Sequence, residues 1–263
     1  MYKKAILLVV NLVVAGLFWF WVKPWVDNPT RFSDVSIWLR PLLLLTILSA
    51  VISLSFVLLK NARLWKILIS VVVSLPFLFF FGFDTYYLLA VVLAILLHLY
   101  ADSNIQAEVN ERTAVNVRLI MQRGLSMIIM PLLIMVSFAY FSSSSVQLSA
   151  KKKQLPPTIS LVVETTVNNF LGDQIKQLPP SEQKQAKSQI VSQVLNQMTQ
   201  FLGPYFKYMP PILAFGLFLV LEGLSFIFVW LAVLLAMLIF WALKKSGFIR
   251  IRLVQKEAEE LEF

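Results

Sequence analysis

Few side chains in this sequence are equipped for chemistry. The one that stands out is Glu222, a lone carboxylate in the run "GLFLVLEGLSFIFVWL", residues 216–231. A charge at the centre of a bilayer costs at least about 2.5–3.5 kcal/mol, so such a residue needs a boundary, a partner or a task. Three readings stay open. Glu222 is an interfacial carboxylate capped by Arg40 or a loop lysine, a cation-selecting group at a vestibule, or a proton-coupling group. Gly223 beside it offers a pivot or a close approach.

His98 is the single histidine, in "VVLAILLHLYAD". It reads as an interfacial histidine touching headgroups or a backbone carbonyl, with a pH sensor as the alternative. Asn11 falls in the middle of the first apolar run, where a buried amide usually hydrogen-bonds another helix. Thr46, Ser49, Ala50 and Ser53 form a small-residue face, as do Ser70 with Ser74 and Ala232 with Ala236.

Enzyme signatures are missing. One histidine excludes His-Glu-x-x-His, and no Gly-x-Ser-x-Gly elbow, P-loop or dinucleotide fingerprint occurs. In "FGFDTYY", Asp84 has neither the second glycine nor the partner aspartate that a carboxylate dyad needs. With no cysteine, disulfides, thiolate sites and thiol nucleophiles are excluded. The expectation is a non-enzymatic protein without a cofactor or metal.

The elements that hold these residues follow from composition. The chain has 263 residues, 59% of them hydrophobic and 14% charged, and its mean hydropathy is +0.77. Soluble domains carry about 25% charged residues, so this is a multi-pass membrane composition. The fold class expected is all-α, with about six transmembrane helices near 5–22, 41–59, 65–83, 86–101, 125–142 and within 211–243. The first apolar run, Ala5–Val22, is longer than a signal-peptide core, which marks an uncleaved span.

Net charge is +9, and its basic residues flank the spans rather than forming a nucleic-acid surface. Lys3, Lys4, Lys60, Arg63, Lys66, Arg112, Arg118, Arg123, Lys244, Lys245, Arg250, Arg252 and Lys256 fall on one side. Only Lys23, Arg31 and Arg40 occupy short loops on the other. The positive-inside rule then gives a cytoplasmic N-terminus and C-terminus, in a plasma membrane of bacterial type. Trp19, Trp21, Trp25, Trp38, Tyr86, Tyr87 and Tyr140 would make an outer aromatic belt, and Trp65, Tyr100 and Trp241 an inner one.

Four regions result: a five-span bundle over 1–142, an extracytoplasmic helical hairpin over 143–209, a long sixth helix over 210–245 and a tail over 246–263. Within the first, 102–123 is expected to form an inner interfacial helix, with Arg123 snorkelling to the surface. The hairpin opens on a flexible stretch, "SSSSVQLSAKKK", followed by two amphipathic helices, each announced by a double proline. Val162, Val163, Val167, Phe170 and Leu171 share a face of the first, and Ile190, Val191, Val194, Leu195 and Met198 share a face of the second. These faces would satisfy each other or dock on a neighbour.

Apart from Glu222, no charge occurs from Pro211 to Leu243. As one helix this is about 50 Å, against a hydrocarbon core of about 30 Å. Pinned at Lys244 and Lys245, it places Glu222 near the outer boundary and leaves 211–221 in need of a cover. Two functions are weighed. One is an envelope protein presenting the outer hairpin for self-association or to a membrane-protein partner. The other is an oligomeric channel or transporter lined by the sixth helix, with Glu222 at its mouth.

Overall fold

The computed structural model describes residues 2–27, 35–60, 62–111, 116–155, 157–175 and 179–249. The tail from 250 and the side chain of Leu171 lie outside the described residues. The order is α1 (Tyr2–Asp27), α2 (Val35–Leu58), α3 (Arg63–Phe81), α4 (Thr85–Glu111), α5 (Val117–Phe141), α6 (Ser144–Lys152), α7 (Pro157–Ile175), α8 (Pro180–Leu202), a 3₁₀ segment (Gly203–Tyr208) and α9 (Met209–Lys245). No strand occurs among the described residues. Among the described residues, six helical segments, α1–α5 and the one that ends in α9, are long and apolar enough to cross a membrane. The chain is a multi-pass membrane protein.

The most enclosed of these helices is α5, which packs against α4, α9 and α2. In lipid the apolar effect does not draw helices together, so close packing must do it. Small residues provide that closeness. Ala50 of α2 meets Ala232 and Ala236 of α9 beside Met121 and Leu125 of α5. Gly124 of α5 lies against Ile105 of α4, whose side chain occupies the space a Cβ would take. On the other flank Trp19 is wholly buried, edge-on to Phe18 at 4.6 Å and to Phe77 at 4.8 Å. Trp19 therefore belongs to the core and not to an aromatic belt.

Local signals set several helix ends. Gly82 ends α3 with φ 103° and donates its N–H to the Leu78 carbonyl. Asp84 immediately precedes α4, and its Oδ1 accepts the Thr85 N–H at 2.6 Å. Asn116 caps α5 by accepting the Leu119 N–H. Pro76 and Pro131 both lie inside continuous helices, α3 and α5.

Two expectations are corrected. Instead of a separate interfacial helix over 102–123, α4 continues to Glu111 and α5 begins at Val117. The reason is Ile105, which is buried in the core against Gly124 and holds this end of α4 on the bundle. The serine-rich stretch is likewise not a flexible opening but α6, with Val146 and Ser149 buried, packed against the 3₁₀ segment and α9. It ends where Lys153 enters the left-handed region at φ 52°.

Lys3 Nζ donates to the Phe248 carbonyl at 2.6 Å, so α1 begins and α9 ends at the same end of the bundle. We refer to this as the near end.

Candidate functional site

The residues singled out from the sequence do not converge on one centre. Ala50 and Ala232 share a cluster, and α2 and α9 both run toward the near end. Counting back along both helices therefore brings Arg40 and Glu222 to a similar depth. They do not pair. Arg40 is exposed and stacks over the Trp21 ring at 4.5 Å. Glu222 is half-buried, and its Oε2 is shielded from solvent without a hydrogen-bond partner among the described residues. Gly223 and Gly216 both face open space.

Asn11 and His98 lie about 20 Å further toward the near end, beside neighbouring residues of α2. Asn11 is fully buried, and its Nδ2 donates to Ser55 Oγ at 2.8 Å and to the Leu7 carbonyl at 2.8 Å. His98 is also fully buried, with its ring edge-on to Phe56 at 6.5 Å. The Ile128 carbonyl lies near the imidazole but outside full hydrogen-bond geometry, and neither ring nitrogen has a bonded partner among the described residues. His98 is thus enclosed by protein and does not touch headgroups.

The most developed polar arrangement was not singled out from the sequence. Lys66 of α3 is 3% exposed and pairs with Asp102 of α4 at 2.8 Å. Its Nζ also donates to the Lys60 carbonyl at 3.2 Å. Gln106 Nε2 donates to Asp102 Oδ1 at 3.3 Å and to the Phe56 carbonyl at 3.2 Å. Alongside, Arg123 of α5 donates to the buried Glu108 at 2.6 Å, so it is held by α4 and does not snorkel freely. Together these bonds tie α2, α3, α4 and α5 at the near end. The signal was available: His98, Asp102 and Gln106 recur every four residues and so share one face of α4.

The surface expected to mediate association is partly covered. α7 and α8 pack on each other, and Lys187 pairs with Glu164 at 3.0 Å. Val167 is buried, while Val163, Ile190, Val191, Val194, Leu195 and Met198 are half-buried. The two faces do not fully satisfy each other, because Val162 stays 60% and Phe170 81% exposed. On α8, Phe201 is 77% exposed.

An apolar groove of about 480 Å³ runs between α5 and the first turns of α9, bounded by Tyr86, Ile134, Phe138, Phe141, Phe215 and Phe218. A smaller one of about 170 Å³ lies further along the same seam, beside Arg118. Among the described residues, no group of three or more histidines and carboxylates is placed to hold a metal ion. No protein-family model, curated protein or solved structure matches the chain.

Proposed function

We propose that this chain is a non-enzymatic integral membrane protein whose α7–α8 pair is a surface for self-association or for a membrane-protein partner. One observation carries the reading: Val162, Phe170 and Phe201 remain exposed after α7 and α8 have packed together. Large apolar side chains left exposed along a packed helical pair call for a cover that the described residues do not supply. The exposed Ile212, Phe215 and Leu219 at the start of α9 extend the same demand.

The test is the oligomeric mass of the protein in lipid nanodiscs, compared with a Val162→Ser, Phe170→Gln, Phe201→Gln triple variant. A discrete assembly or captured membrane protein that is lost in the variant supports the reading. An unchanged mass, or a monomer without any partner in both proteins, overturns it.

A second reading, an oligomeric channel, draws on the buried, unpartnered oxygen of Glu222 beside the open space at Gly223. Carboxylate rings select cations, and copies of Glu222 around an axis would make one. Unchanged ion flux and selectivity in Glu222→Gln would remove that role.

A further inference from the structure

The near-end groove on the α5–α9 seam has a chemistry of its own. Arg118 and Gln122 stand one turn apart on α5, facing Val229, Trp230, Val233 and Met237 of α9. Met121 and Leu125 of α5 share one cluster with Ala232 and Ala236 of α9, and the two helices run antiparallel, since α5 starts and α9 ends at the near end. Arg118 is therefore level with Met237, near the end of the bundle, while Val229 and Trp230 form the deepest part. The trough runs about 12 Å along α9 from Met237 to Val229. Its walls are apolar except for the guanidinium at the mouth and the amide one turn deeper.

Arg118 is exposed, and among the described residues it has no carboxylate partner. It contrasts with Arg123, which is held by Glu108. Beyond Arg118 the same end carries Lys244 and Lys245, the latter over the Trp241 ring at 5.1 Å. Arg118, Lys244 and Lys245 are all basic, and Arg118 is a planar donor without a carboxylate partner among the described residues.

We infer that this seam binds one anionic phospholipid, with its phosphate on Arg118 and one acyl chain in the trough along Val229, Trp230 and Val233. A guanidinium offers two parallel N–H groups to a phosphate, and neighbouring lysines favour a headgroup with net negative charge. At about 170 Å³ the trough is smaller than a drug-sized ligand pocket and has room for part of a single hydrocarbon chain. An amphiphile with a charged head and a single hydrocarbon tail in the site matches both the walls and the mouth. The site requires only that the α5–α9 seam lie in a bilayer, and it stands whether or not α7–α8 associates.

The experiment uses the full chain in nanodiscs of phosphatidylcholine containing a minor fraction of either brominated phosphatidylglycerol or brominated phosphatidylcholine. Trp230 reports occupancy, since bromine quenches indole at contact, and a Trp230→Phe variant isolates its signal from the other tryptophans. We expect the brominated anionic lipid to quench the Trp230 component at least threefold more effectively at equal mole fraction. Arg118→Gln should remove that preference, while Val229→Phe, which fills the deep end of the trough without adding an indole, should lower quenching by both lipids. Raising the ionic strength should weaken the preference in the unsubstituted protein, a test independent of any variant. Equal quenching by both lipids, or a preference that survives Arg118→Gln or high salt, overturns the site. Inorganic phosphate that displaces the effect at micromolar concentration would replace the lipid by a free anion and overturn it as well.

Discussion

Lys66 and Asp102 meet at 2.8 Å with the ammonium almost wholly out of solvent, joining α3 to α4 at the end of the bundle where α1 begins and α9 ends. An ion pair this enclosed is stabilising only while both partners remain. Removing one leaves a buried charge uncompensated, at about 3–5 kcal/mol.

Asp102→Ala should therefore lower the thermal unfolding midpoint sharply. Lys66→Met should cost less, because Asp102 is more exposed and keeps the Gln106 amide. The double variant Lys66→Met, Asp102→Leu should be milder than Asp102→Ala, since no lone charge stays inside. Thermal unfolding in one fixed detergent checks the order. A double variant at least as damaged as Asp102→Ala would mean the pair is not the source of the loss.

Glycines on α5 and α9 should respond with opposite signs. A Cβ on Gly124 would overlap Ile105 Cγ1 and Cδ1, so Gly124→Ala should cost about 1–3 kcal/mol through overpacking. Ile105→Ala in the same chain should recover part of that loss. Gly223 faces open space, so Gly223→Ala should stabilise an isolated chain by up to about 1 kcal/mol of helix propensity. A Gly124→Ala midpoint that is unchanged or raised would contradict the α4–α5 contact described.

These contrasts show what the sequence could and could not say. The crossing helices were legible because apolar length alone marks them, and Ala50, Ala232 and Ala236 were legible as packing residues from their type. From the sequence Lys66 and Arg123 read as boundary charges, because nothing near them in the chain names Asp102 and Glu108 as partners. Those partners come from a different helix and depend on register. α6 is not legible for a related reason: a serine-rich segment has weak helical preference of its own, and α6 gains its place by packing on the 3₁₀ segment and α9. The apolar stripes of α7 and α8 were visible, but not that Val162 and Phe170 would be left outside their contact.

The Asn11–Ser55 bond gives a calibrated measure of polar contacts inside the bundle. Hydrogen bonds between membrane helices average about 0.6 kcal/mol and reach about 1.7. Asn11→Ala and Ser55→Ala should each destabilise modestly, and a double-mutant cycle should return a coupling in that range. Ser55 Oγ also donates to the Val51 carbonyl at 2.7 Å, so its loss should not disturb α2 beyond the pair. A coupling near zero would show that α1 and α2 are held by packing alone.

Glu222 offers the sharpest contrast with Asp102, because one carboxylate is fully engaged and the other has an oxygen with no partner. A shielded carboxylate oxygen without a donor carries a desolvation cost and no compensating bond. Glu222→Leu, set in the apolar run of α9, should therefore raise the unfolding midpoint of the isolated chain, and Glu222→Gln should leave it nearly unchanged. Natural chains keep such a cost where function needs it, so a gain in stability should be matched by a loss in whatever Glu222 serves. The measurement is paired: unfolding of the monomer in detergent, and ion flux with oligomeric mass in nanodiscs, for both variants. A stabilised monomer with altered flux or mass would make Glu222 a functional carboxylate of the assembled state. A destabilised monomer would mean that its other oxygen holds the α9 helix in place, and the unpartnered oxygen would then carry no argument for function.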